Sequence, residues 1–233
     1  MSILCATSYF QTNENIPNII QKLDNLLITR HDGQIFVKNS ELAKHINNLC
    51  IKFGFMYTCK DYLKESIHGN QPKTNFFLSN FIYDSKAFLD SSCMLLNYFY
   101  VLELKGGNID FRKNIFLTKL KEKRSDIESK VQQQYKWICD VRDYRDKVIH
   151  RSSIASIIFS PPDSSGKRPK DNIVKMHPKF YSLFDLIQRS GIKDSVKPLD
   201  IISFCDNWLK EAQIMFDMVL SFIENDYRNG IKK

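Results

Sequence analysis

The chain is most easily bounded by what it lacks. Its six cysteines, at positions 5, 50, 59, 93, 139 and 205, form no Cys-x-x-Cys pair and none has a histidine at zinc-finger spacing. A disulfide scaffold and a structural zinc site are therefore not expected. Cys93, Cys139 and Cys205 fall in apolar helical runs, where a thiol packs as a small hydrophobe, and reduced thiols point to a cytoplasmic protein. Residues Met1 to Phe10 have neither the basic start nor the long apolar stretch of a signal peptide. The most apolar run, Cys93 to Leu104, is too short to span a bilayer and contains Asn97 and Glu103, so no membrane partner is expected. Gly166-Lys167 lacks the first glycine and the following hydroxyl residue of a phosphate loop. His31, His45, His68 and His177 show no metal-ligand spacing. There is no internal repeat and no low-complexity tail, and neither metal nor cofactor is expected.

What is present is ordinary globular composition, 43% hydrophobic and 26% charged over 233 residues, enough for one domain with a sizeable core. The net charge of +8 makes a polyanion a plausible partner. Helical periodicity dominates. Pro17 opens a run with Ile19, Ile20, Leu23, Leu26 and Leu27. After the turn His31-Asp32-Gly33 and a short β-like stretch, Gln34 to Lys38, Ser40 is placed to cap a helix bearing Leu42, Ile46, Leu49, Phe53 and Met56. A break at His68 to Pro72 precedes a helix capped by Thr74 or Asn75, running to Leu104 and stopping at Gly106-Gly107. Its stripe of Phe77, Phe81, Phe88, Leu95 and Leu102 is interrupted by Asp84 and Ser91. A carboxylate in such a place calls for a partner.

Ser125 to Glu128 has the pattern of a capping box, and the helix it opens is expected to reach about His150. Beyond it, β-branched residues from Ser152 to Ser160 and from Asn172 to Met176 predict a β-hairpin whose basic tip, Lys167, Arg168 and Lys170, is a candidate RNA contact or else a solvated loop. A short helix, Pro178 to Arg189, and a long last helix from Pro198 to about Asn229 complete the chain. The expected fold is mainly α: a bundle of four or more long helices with a small β-hairpin after the third core helix. We place a single domain over 1–233, with 1–72 as an N-terminal helical extension and 75–229 as the core bundle carrying the hairpin 152–177. Trp137 and Trp208 read as core or interface anchors, and Tyr98, Phe99 and Tyr100 read as core rather than as base-stacking groups.

The segment Arg145-Asp146-Lys147-Val148-Ile149-His150 is where chemistry concentrates. At 100° per residue Arg142, Asp146 and His150 lie almost above one another, while Arg145 falls on the apolar side, in register with Ile138 and Val141. An arginine is rarely buried without an anion. A guanidinium can grip a phosphate and an imidazole can move a proton near neutral pH. Arg145, His150 and Asp146 are the expected catalytic group, with Asp146 orienting the other two. Asp84, Asp90 and Arg142 are auxiliary candidates. One histidine cannot readily serve as both acid and base, so the chemistry calls for a homodimer.

This segment resembles the signature of the HEPN superfamily, in which an arginine is followed by four to six residues and a histidine. Asp146, directly after the arginine, fits the pattern, as do the all-helical context and the inward polar residues of Tyr83 to Asp90. The resemblance spans about residues 75–229. It implies a metal-independent endoribonuclease leaving 2′,3′-cyclic phosphate and 5′-hydroxyl ends, acting on RNA as a dimer. It also implies a toxin–antitoxin or defence setting, with an antitoxin or a nucleotidyltransferase as a further partner. Some members are inactive, and the alternative is a non-catalytic module that binds RNA, a nucleotide or a protein. A third reading is a helical scaffold in which Arg145 pairs with Asp84 or Asp146 and His150 caps helix carbonyls.

Overall fold

The computed structural model describes residues 27–31, 34–67, 71–150, 155–158, 173–176 and 201–230. Within these the chain is a mainly α helical bundle of six α-helices: α1 (Ser40–Ser66), α2 (Gln71–Phe99), α3 (Asn114–Lys123), α4 (Ser125–Gln133), α5 (Tyr135–His150) and α6 (Ile201–Arg228). Two short antiparallel pairs accompany them. Ile28–His31 (β1) pairs with Gln34–Val37 (β2), and Ala155–Ile158 (β3) pairs with Ile173–Met176 (β4). The expected helices around Pro17 and Pro178 and the basic tip Lys167, Arg168 and Lys170 lie outside the described residues. No helix among the described residues is long and apolar enough to cross a membrane.

Helices α1 and α2 form an antiparallel hairpin. The Thr74 hydroxyl donates to the Ser66 carbonyl at 2.9 Å at one end, Cys59 meets Asp84 midway, and Tyr98 reaches Asn39 and His45 at the other end. Leu42, Ile46, Leu49, Phe53 and Met56 repeat at helical spacing, and all are buried. Asn39 rather than Ser40 is the cap: its side chain accepts from the Leu42 amide at 3.0 Å, and Ser40 is the first helical residue. Likewise Thr74 does not cap α2, which starts at Gln71 with its hydroxyl-bearing Thr74 turned onto α1. Helix α6 lies across the hairpin. Phe216 stacks on Phe53 at 4.8 Å and touches Phe88, while Trp208 and Phe204 pack against Phe81.

Two helix boundaries depart from local pattern. Helix α2 ends at Phe99 instead of Leu104 because the chain reverses there, with Val101 and Glu103 at φ +50° and +57°. The reversal buries Leu102 and Leu104, and the Asn97 side chain clamps the Leu104 backbone from both sides. Burial of two leucines, about 1.5–3 kcal/mol each, offsets the left-handed strain at a β-branched residue. The helix expected from Ser125 to His150 is divided at Gln134 (φ −99°, ψ +5°), whose amide donates to the Glu211 backbone carbonyl of α6 at 2.8 Å. The capping box does not form either. Arg124 holds the cap position and Asp126 turns back to its guanidinium.

Candidate functional site

Helix α5 docks through Trp137, Ile138 and Val141, which are buried, and through Tyr144, which packs on Phe204 and Trp208 at 5.5 Å each. That orientation fixes what the rest of the helix can reach. Arg142 and Arg145 project into a groove of about 380 Å³ between α5, α2 and the turn after α2. Lys86, Asp90 and Met94 of α2 form one wall, and Gly106, Gly107, Ile109 and Asp110 form the other. Gly106 adopts φ +55°, and a methyl at Gly107 would meet nothing within 4 Å. Packing therefore does not require a glycine at 107, and its missing side chain leaves the groove wall low.

The charges are arranged in pairs. Arg142 donates to the Asp110 carboxylate, which also accepts the Arg112 backbone amide at 2.9 Å and is 13% exposed. Arg142 approaches Asp146 only at 4.0 Å. Lys86 pairs with Asp90 one turn along α2. Arg145 Nη1 donates to Asp146 Oδ1 at 2.9 Å, and both side chains are open to solvent, at 40% and 47% exposure. Among the described residues Lys86, Arg142 and Arg145 thus present three cations to the groove against Asp90 and Asp110, with Asp146 paired to Arg145 beside it. An exposed pair such as Arg145–Asp146 adds little stability, and the guanidinium can turn to an incoming phosphate at small cost.

The expected inward placement of Arg145 is not what is found. The buried stripe of α5 passes through Trp137, Ile138 and Val141, and Arg145 stands at its edge, facing the groove. Arg142, Asp90 and Asp146 are brought near Arg145 as expected, although Arg142 is held mainly by Asp110. His150 is the last residue of α5, and its side chain lies outside the described residues. Asp110 was not legible as part of the site. Its partner is 32 residues away in sequence, and the only local signal is a carboxylate shortly after a Gly-Gly turn.

Asp84 does not join the groove. It sits between α1 and α2, accepts the Cys59 thiol at 3.8 Å and faces Lys52. Burial holds its carboxyl above the usual carboxylate range, with Lys52 opposing, and burial together with Asp84 pushes the Cys59 thiol up to about 12. A carboxyl raised in the folded state binds its proton more tightly there than in the unfolded chain. Its contribution to stability is therefore intact in acid and lost as pH rises through the folded pKa. Asp84→Asn is expected to raise the melting temperature at neutral pH, with a gain that shrinks as pH falls toward about 4; a gain independent of pH would contradict this account. Besides Thr74, the buried polar residues of α2 are Ser85 and Ser92, which return their hydroxyls to the Phe81 and Phe88 carbonyls.

Among the described residues no group of three or more His, Cys, Asp and Glu side chains is placed to hold a metal. Comparison with protein-family models, with curated proteins and with solved structures gave no match in any of the three.

Proposed function

We propose that the protein is a metal-independent endoribonuclease of HEPN type, with Arg145 and His150 of two copies facing one RNA backbone across a shared cleft. The observation that carries this reading is the position of Arg145: it lines an open groove beside Lys86 and Arg142, on the helix whose last residue is His150. Of the two pairs a purely structural arginine could make, the one with Asp84 is absent, since Asp84 is engaged with Cys59 and Lys52; the one with Asp146 forms between exposed side chains and leaves the guanidinium open to the groove.

In this scheme the 2′-hydroxyl loses its proton to a histidine and attacks the adjacent phosphorus, and the bond to the 5′-oxygen breaks. That oxygen takes a proton from a second imidazole, leaving a 2′,3′-cyclic phosphate and a 5′-hydroxyl. Arg145 grips the non-bridging oxygens as negative charge builds on them. Asp146, already bonded to Arg145, holds the fork in place. One copy supplies a single His150, so a two-fold related copy supplies the other imidazole.

The test is direct. The full chain, freed of divalent ions with EDTA, is incubated with RNA, and the product ends and the sedimentation of the protein are measured. Cleavage to cyclic phosphate ends by a dimer is the expected result. Salt-dependent binding with no cleavage, or cleavage by a strict monomer, would overturn the reading.

A further inference from the structure

The outward face of α2 carries residues that a solvent-facing helix stripe does not normally hold. Phe76 is 62% exposed, Tyr83 38% and Met94 42%. Phe76 and Tyr83 are seven residues apart, and Lys86, Asp90 and Met94 continue the same stripe at three- and four-residue steps. From Phe76 to Met94 the stripe runs about 27 Å along the helix, and its last part, Lys86 to Met94, is the wall of the Arg145 groove. The aromatic end is widened by α1, whose Tyr62 stacks on Phe77 at 4.8 Å, with Phe76 meeting Phe77 edge-on at 5.3 Å.

Cations stand over two rings of the α1–α2 hairpin. Lys73 lies over Phe77 at 5.9 Å, and on α1 Lys52 lies over the exposed Phe55 ring at 5.3 Å. Exposed rings at Phe76 and Tyr83, flanked by Lys73 at one end and by the Lys86–Asp90 pair at the groove mouth, suit a ligand with flat apolar faces and negative charge. A second copy of this chain is a poorer fit, since its own lysines would be brought against these, and interface cores are depleted in lysine. A duplex is also a poorer fit because its bases are closed to stacking from outside.

We infer that the Phe76–Tyr83 stripe of α2 is a stacking track for single-stranded RNA that leads into the Arg145 groove. The direction of the track rests on the proposed function, but the binding itself does not. Bases stack on Tyr83 and Phe76 while the phosphates pass Lys73 and, at the groove mouth, Lys86. The groove then receives a strand that is already unpaired and extended.

Binding is read with a short 2′-O-methyl oligonucleotide, which has no 2′-hydroxyl and cannot be cut, as a single strand and as a duplex. Phe76→Ala and Tyr83→Ala are each expected to weaken single-strand binding about tenfold without lowering the melting temperature, because both rings are exposed. Tyr83→Phe keeps binding, and the duplex binds more weakly and is indifferent to all three changes. Alanine variants that bind the single strand as well as the parent overturn the inference. So does loss of self-association with RNA affinity unchanged, which would assign the stripe to a second copy. A parent that binds through these rings but cuts nothing leaves the track standing and removes the nuclease; one that cuts normally as Tyr83→Ala and Phe76→Ala does the reverse.

Discussion

Arg145→Ala is expected to lower RNA cleavage by about 100- to 1,000-fold, the usual effect of removing one preorganised donor from developing oxyanion charge. The fold should not change. The side chain is 40% exposed, its close partner among the described residues is the neighbouring Asp146, and the helix is anchored by Trp137, Ile138, Val141 and Tyr144 instead. Arg145→Lys restores charge but not the fork, and is expected to recover only part of the loss. Asp146→Asn should cost less than either, because it loosens the guanidinium without removing it. His150→Ala should abolish cleavage, and mixing it with the parent should lower activity by more than dilution does, because a mixed dimer holds one imidazole where the shared cleft needs two. Single-turnover rates in EDTA decide the matter: variants that cut as fast as the parent would remove Arg145 and His150 from the chemistry altogether.

The second large effect concerns stability, at the opposite end of the bundle from the α1–α2 turn. Asp226 of α6 is 5% exposed, accepts the Tyr100 hydroxyl at 2.7 Å and pairs with Arg124, whose guanidinium also holds Asp126 at 2.7 Å. One carboxylate thereby ties together the end of α2, the α3–α4 junction and the last helix. Burial and the bond to Asp226 hold the Tyr100 hydroxyl well above its ordinary range, so it stays a donor throughout the working pH range. Asp226→Ala strands that hydroxyl and removes one of the two carboxylates on Arg124. A loss of about 2–3 kcal/mol is expected, below the full cost of breaking a buried pair because Asp126 remains. For a chain of this length that is a fall in melting temperature of roughly 4–12 °C. Tyr100→Phe in the same background should recover part of it, since the stranded donor is then gone. A double variant no more stable than Asp226→Ala alone would show that the hydroxyl carries no part of the cost.

Much of the architecture was legible from spacing. Leu42, Ile46, Leu49, Phe53 and Met56 of α1 and Ile201, Phe204, Cys205, Trp208, Ala212, Met215 and Met218 of α6 recur at helical intervals and are buried, while Phe222 at the end of that series is only partly so. The boundaries were less legible, because they are settled at a distance. Nothing local in Gln134 ends a helix; it leaves helical geometry as its amide bonds a carbonyl of α6. Val101 is a poor residue for positive φ and occupies it because Leu102 and Leu104 must turn inward. The site was legible in part. The reading of α5 named Arg142 and Arg145 but not Lys86, and it offered Arg145 two partners, Asp84 and Asp146, of which the second is found. Asp84 looked like a partner for Arg145 and proved to belong to Cys59, while Asp110, which holds Arg142, gave no sign of it.

The order of residues by itself determined that the chain is mainly helical, which faces of its long helices are apolar, and that Arg142, Arg145, Asp146 and His150 follow one another up a single helix. Those properties depend on periodicity, which is carried by neighbours within a few residues. Only the tertiary structure decided that Arg145 opens onto a groove instead of entering the core, and that Lys86, Gly107 and Asp110 stand around it. Those choices depend on how Tyr144 seats against Phe204 and Trp208 and so rotates α5 against α2, a contact between segments some 60 residues apart.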